Sequence, residues 1–114
     1  MNKEVKKSLI NFALALLSPI SVSLFWRNWQ VLTAILILIG ILMLAIEKDR
    51  SSILLYIVAS IGGAVTEIVA ILFGAWVYTE PHIAGIPIWL PFLWGAAALY
   101  IVRLKIFIDA IFKK

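Results

Sequence analysis

The sequence predicts an all-α polytopic membrane protein with four transmembrane helices in an up-down-up-down bundle. Three observations predict this fold. Apolar residues make up 64% of the 114 residues and charged residues 14%, long apolar runs follow one another, and charges stand almost entirely between those runs. Soluble domains carry about 25% charged residues, so the composition excludes that class. Because the chain has no Cys, it has no disulfide and no thiolate metal ligand.

The predicted helices cover residues 8–26, 30–46, 52–78 and 88–112, and form one domain over residues 1–114. A helix rises 1.5 Å per residue, so each run is long enough, or nearly so, to cross about 30 Å of hydrocarbon. Only helices and closed barrels satisfy backbone polar groups in lipid, and these runs lack the alternation of barrel strands. Because the connections are short, we expect consecutive helices to be antiparallel neighbours.

The charges predict the orientation. Of the ten Lys and Arg residues, only Arg27 lies on one side, and the other nine flank the opposite ends of the helices. The positive-inside rule therefore predicts a multi-pass protein of the cell membrane with both termini cytoplasmic. An aromatic belt is predicted on the outer side, formed by Trp26, Trp29, Trp76, Tyr78 and Trp89. The N-terminus, with Ser21-Val22-Ser23, also fits a cleavable secretory signal, but three further spans favour a retained signal-anchor.

Glu67 is the strongest candidate for a catalytic or proton-exchanging residue. It stands near the middle of the third predicted helix, where an ionised carboxylate facing lipid would be costly, so we expect it to face protein or water. The alternative is a structural polar lock. At 100° per residue it shares one helical stripe with five residues, which we predict to bind substrate: Tyr56, Ser60, Gly63, Gly74 and Tyr78. The glycines also fit a helix-packing role.

Two further residues are candidates near Glu67. Arg103 is a candidate ion-pair partner at about 7.5 Å in depth, and the alternative is that it snorkels to the cytoplasmic headgroups beside Lys105. On the first helix, Ser18 is a candidate substrate-binding residue. The second helix offers few polar residues and is expected to be a lipid-facing scaffold.

The outer loop carries Glu80 and His82, too few ligands for a closed metal site, so we predict neither a metal nor a cofactor. No phosphate-binding loop, metalloprotease motif or nucleophile elbow occurs in the chain. The basic C-terminal stretch is predicted to rest on anionic membrane lipids, and nucleic acid is not an expected partner.

The segment from Glu67 to Trp94 reads E-x6-G-x-W-x-Y, a short loop, then G-x-P-x-W-x-P-x-x-W. It resembles the bacterioruberin-hydratase-like membrane proteins of carotenoid biosynthesis. It is also similar to a family of small four-helix bacterial inner-membrane proteins whose last helix starts Pro-x-Trp-Leu. The resemblance covers about a quarter of the chain and implies that Glu67 is the acid of an isoprenoid site walled by Trp76, Tyr78 and Trp94.

The leading hypothesis is therefore a small integral membrane protein whose Glu67 site binds or processes a lipid-like or isoprenoid molecule. Whether it is an enzyme stays open. One alternative is a proton-coupled small transporter. In length the chain is similar to the small multidrug-resistance transporters, although their essential Glu lies in the first helix. The other alternative is an accessory subunit without a site, and a homodimer is the expected assembly if the chain self-associates.

Overall fold

The computed structural model describes residues 2–112, and Met1, Lys113 and Lys114 lie outside the described residues. Over that range the chain forms four helices: α1 (Lys3–Phe25), α2 (Trp29–Glu47), α3 (Arg50–Leu72) and α4 (Leu90–Phe112). The prediction of an all-helical chain with four helices is confirmed. By length and composition α1, α2 and α3 are each able to cross a membrane.

The helix starts follow from side-chain caps. α1 begins five residues earlier than predicted because the Asn2 side chain accepts a hydrogen bond from the Glu4 backbone N–H at 2.7 Å. The Asn28 side chain accepts one from the Val31 N–H at 3.4 Å at the start of α2. Asn is among the preferred residues at this position because its oxygen satisfies a free N–H of the first turn.

α3 ends at Leu72, six residues before the predicted end at Tyr78. Gly74 has a φ of +81°, its N–H donates to the Ile71 carbonyl at 3.0 Å, and the Ala75 N–H donates to the Ala70 carbonyl at 3.0 Å. This pair of bonds is the Schellman motif, in which a left-handed glycine stops a helix. Gly74 therefore ends α3, although the sequence after it stays apolar.

Residues 73–89 fold into an ordered connection. Ala84 and Gly85 both have positive φ, at 51° and 89°, and Ile83 and Ile86 exchange backbone hydrogen bonds at 2.9 and 3.0 Å. Two positive φ angles in succession give a turn of type I′. His82 accepts a hydrogen bond from the Ile88 N–H at 3.0 Å, and its ring lies 4.9 Å from that of Trp29. The loop is thus held against the start of α2.

α4 is the central helix of the packing. It contacts each of the other three helices, whereas α3 touches α2 only slightly. α2 buries an apolar face formed by Leu32, Leu36, Ile39 and Met43. α2 is therefore more than the expected scaffold: this face fills the core, whereas Leu38, Ile41 and Leu42 on the rest of the helix are exposed. The buried residues of α1 are instead polar, namely Ser8, Asn11, Ser18 and Ser21.

Arg103 of α4 fixes one end of the bundle and is 2% exposed. Its Nη1 lies 2.7 Å from the carboxylate of Glu4. Its Nε donates to Glu47 Oε2 at 2.9 Å, while Nη2 binds the other oxygen of that carboxylate. We call these three residues the Arg103 cluster. It joins the start of α1, the end of α2 and the last part of α4.

Candidate functional site

Glu67 is buried near the end of α3 that leads into the loop. Its exposed fraction is 8%, in agreement with the expectation that it faces protein. Because α3 spans Arg50–Leu72, its midpoint is Ile61, and Glu67 lies about 9 Å beyond it at 1.5 Å per residue. The acid is therefore closer to the loop end than the sequence predicts.

Two side chains hold the Glu67 carboxylate. The indole Nε1–H of Trp94 donates to Oε2 at 2.6 Å, and the hydroxyl of Tyr78 donates to Oε1. An indole nitrogen only donates, so Oε2 is an acceptor. Burial, followed by the hydrogen bond to Glu67, raises the pKa of the Tyr78 hydroxyl. The phenol therefore stays protonated and continues to donate at neutral pH.

The position of Trp94 depends on Gly63, one helical turn before Glu67 on α3. The indole ring lies directly over the Gly63 Cα, so that a Cβ there would overlap ring atoms. Close approach of a ring to a helix backbone requires glycine. Gly63 thus lets the Trp94 ring reach Glu67 across the contact between α3 and α4.

Tyr78 reaches Glu67 from the loop rather than from the helix. The turn at Ile83–Ile86 folds the loop back, so that Trp89 lies beside Tyr78 with ring centroids 6.3 Å apart at 90°. Such an edge-to-face pair stabilises both rings. The loop therefore adds two aromatic side chains to the site.

The carboxylate lines a cavity of about 400 Å³. Apart from Glu67 its walls are apolar and aromatic: Val22, Tyr78, Trp89, Leu90, Leu93, Trp94 and Ala97. Small-molecule sites are mostly apolar cavities with a few placed polar groups. We call this space the Glu67 cavity.

Two further cavities adjoin the Glu67 cavity. One of about 540 Å³ lies between α1 and α4, shares Leu93 and Ala97 with it, and extends to Phe12 and Tyr100. The other, of about 190 Å³, shares Val22, Tyr78 and Trp89 and includes Trp26, Thr79, Glu80 and Pro87. Because they share these lining residues, the three cavities adjoin one another, and together we call them the α1–α4 groove.

The structure brings only some of the predicted site residues to the Glu67 cavity. Glu67, Tyr78 and Trp94 are together, with Gly63 behind the indole ring. Ser18 lies in the adjoining cavity, and its buried hydroxyl has no hydrogen-bond partner within residues 2–112.

Three other predicted residues lie away from the Glu67 cavity. The Tyr56 ring packs beside Gly95, where Ser60 also lies, and its hydroxyl donates to the Phe92 carbonyl at 3.4 Å. Gly74 is exposed and serves to end α3. The prediction that one helical stripe runs from Tyr56 to Tyr78 is therefore wrong for Gly74 and Tyr78, because α3 ends before them.

The predicted ion pair between Glu67 and Arg103 is also wrong. Glu67 shares a cavity with Val22, whereas Arg103 pairs with Glu4. Those two α1 residues are 18 positions apart, which is about 27 Å of helix. The alternative that Arg103 snorkels to the headgroups is wrong as well, because its guanidinium is buried between two carboxylates.

Several residues that line the Glu67 cavity were not predicted from the sequence, namely Val22, Trp89, Leu90, Leu93 and Ala97. Trp89 was expected in an interfacial belt, but its ring is buried in the wall of the Glu67 cavity. Trp76, which the resemblance places in a site wall, is exposed and lines none of the three cavities. The available signal was the position of Trp89 two residues after a proline, at the start of the helix that carries Trp94.

Within residues 2–112, no group of three or more His, Asp and Glu side chains is placed to hold a metal ion. Comparisons with protein-family models, with curated proteins and with solved structures found no match to this chain.

Proposed function

We propose that this chain is a multi-pass protein of the cell membrane that binds a lipid-like or isoprenoid molecule in the α1–α4 groove, with its polar group at Glu67. The observation that carries the proposal is the placement of Glu67. It is a buried carboxylate, oriented by two donors, in the wall of an apolar cavity. Buried ionisable groups in membrane segments are costly and generally mark functional sites.

The shape of the α1–α4 groove supports an elongated ligand. The Glu67 cavity continues along α4 into the larger cavity, whose lining is apolar apart from Ser18 and the hydroxyl of Tyr100. A hydrocarbon or polyprenyl chain gains little from leaving lipid for such a lining, because both are apolar. Selectivity therefore comes from the polar group that reaches Glu67.

The proposal includes four spans in an up-down-up-down arrangement with both termini cytoplasmic. α4 is 23 residues long, as are α1 and α3. The Arg103 cluster lies at the end where α1 starts and α2 ends, and this is the end rich in Lys and Arg. Because the chain has no Cys, single substitutions test the orientation. Thr79→Cys is expected to react with an impermeant maleimide in intact cells, and Ser51→Cys only after lysis. The reverse pattern would contradict the orientation.

Glu67→Gln tests the binding site, because glutamine keeps the size of the side chain and removes its charge. The wild type and the variant are purified in a neutral detergent, and the lipids that copurify are compared by mass spectrometry. We expect one hydrophobic species to be enriched with the wild type and lost from the variant. Asp109→Asn is the matched control, because Asp109 is exposed and pairs with Lys105 at 2.6 Å, away from the groove.

Thermal unfolding of each variant separates loss of binding from loss of fold. A folded Glu67→Gln variant that retains the same lipids as the wild type would contradict the proposal. In that case the accessory role without a site of its own would be the better account.

A further inference from the structure

Glu67 has no cationic partner in the described structure. Within residues 2–112 the ion pairs join Arg103 to Glu4 and Glu47, and Lys105 to Asp109. The two donors on Glu67, Tyr78 and Trp94, are neutral. A buried charge is stable only when it is paired and hydrogen-bonded. Glu67 thus has two hydrogen-bond donors, and among residues 2–112 no Lys, Arg or His forms an ion pair with it.

The lining of the α1–α4 groove is suited to a cation. Three aromatic side chains, Tyr78, Trp89 and Trp94, share the Glu67 cavity with the carboxylate. A second carboxylate, Glu80, lies with Trp26 in the adjoining cavity near the loop. Among the described residues, no Lys or Arg lines any of the three cavities. Aromatic faces attract cations through the ring quadrupole, and two carboxylates add to that attraction.

Arg27 packs against an aromatic ring beside the groove. Its guanidinium carbon lies 4.8 Å from the centre of the Trp26 ring. It is absent from the lining of all three cavities, so it does not supply the countercharge of Glu67.

We infer that the ligand of the α1–α4 groove is a hydrophobic organic cation, whose amine or quaternary ammonium group lies beside Glu67 among the aromatic rings. This inference rests on the proposed function and adds the charge of the ligand. The positive group pairs with the Glu67 carboxylate, and the apolar part extends along α4 towards Phe12 and Tyr100. Phosphate-bearing lipids and fatty acids are disfavoured, because like charges repel at a site without Lys or Arg.

The test uses two probes of the same shape and opposite charge, tetraphenylphosphonium and tetraphenylborate. Binding of each to the wild type and to Glu67→Gln is measured by equilibrium dialysis in a neutral detergent. For each probe, the ratio of the two dissociation constants cancels its partition into detergent. We expect Glu67→Gln to weaken tetraphenylphosphonium binding at least tenfold, or about 1.4 kcal/mol, and to leave tetraphenylborate binding unchanged or stronger. Asp109→Asn is expected to bind both probes as the wild type does.

Two further measurements, one on the variant Glu67→Asp and one with an uncharged ligand, distinguish the remaining outcomes. Glu67→Asp retains the charge, so it is expected to keep the preference for the cation even if Glu67→Gln folds poorly. Equal tetraphenylphosphonium affinity in the folded wild type and Glu67→Gln would overturn the inference. So would a loss of the preference for the cation in a folded Glu67→Asp. Binding of an uncharged long-chain alcohol that Glu67→Gln abolishes, with no response to tetraphenylphosphonium, would also overturn it while upholding the proposed function.

Discussion

Gly62 and Gly63, two adjacent glycines of α3, allow a direct test of how the Trp94 ring is positioned beside Glu67. A Cβ on Gly63 would overlap the Trp94 ring, whereas a Cβ on Gly62 has no atom within 4 Å. Gly62→Ala therefore gains only helix propensity, which stabilises a helix by up to about 1 kcal/mol. Gly63→Ala gains the same propensity but forces the indole ring to move.

The cost of moving the ring follows from its contacts. Overpacking costs about 1–3 kcal/mol. If the ring leaves Glu67, the hydrogen bond of 2.6 Å to the carboxylate is lost as well, and bonds to charged groups contribute about 1.5–3 kcal/mol. With both costs, and after a gain in helix propensity of about 1 kcal/mol, we expect Gly63→Ala to lower the free energy of unfolding by about 1.5–5 kcal/mol. Gly62→Ala is expected to be neutral or slightly stabilised.

The measurement is thermal unfolding of the two variants in the same detergent, followed by circular dichroism, together with tryptophan emission of the folded state. Gly63→Ala is expected to unfold at a lower temperature and to show an emission shift, because the Trp94 ring moves. Identical unfolding and emission for the two variants would refute the argument that Gly63 positions Trp94.

Two other predictions concern the charged and phenolic groups. Arg103→Met is expected to cost about 3 kcal/mol, because it leaves Glu47, which is 12% exposed, without a partner, while the half-exposed Glu4 adds little. The double variant Arg103→Met/Glu47→Met is expected to regain most of this loss in thermal unfolding, and equal instability would contradict the burial argument. Tyr78→Phe removes one donor to Glu67 and is expected to cost about 1–3 kcal/mol at neutral pH. Because the pKa of Tyr78 is raised in the fold, its contribution is fully present below about pH 10 and declines progressively as the pH rises from there towards the folded pKa. The unfolding midpoints of the wild type and Tyr78→Phe should therefore converge as the pH rises, and a constant difference would contradict this.

The number and placement of the helices were predictable because apolar runs separated by charges have few interpretations in a chain of this composition. The position at which α3 ends was not predictable from the sequence. After Gly74 the chain continues with Ala75, Trp76 and Val77, which are as apolar as the helix before them. Only the backbone conformation of Gly74 shows the break. A glycine inside an apolar run is compatible with both a helix interior and a helix end.

For the candidate site, the sequence identified the acid more reliably than its neighbours. An acidic residue in an apolar run must be buried or solvated, so the inward position of Glu67 followed from composition alone. Its partners did not follow, because Tyr78 returns through a loop whose turn depends on positive φ at Ala84 and Gly85. The carboxylates bound by Arg103 were missed because they stand on helices distant in sequence.

The contrast between α1 and α2 explains why the buried residues of a helix were harder to predict than its ability to cross a membrane. In water, a large apolar side chain is the best indicator of an interior position, but lipid is as apolar as leucine. Interior positions of a membrane bundle are therefore distinguished by shape and by polar groups. α1 buries Ser8, Asn11, Ser18 and Ser21, and α2, which packs against α1, buries Leu32, Leu36, Ile39 and Met43. Small polar side chains on one helix leave room for large apolar ones on another. The polar stripe of α1 thus leaves room for large apolar side chains, and α2, the most hydrophobic of the three candidate spans, supplies them.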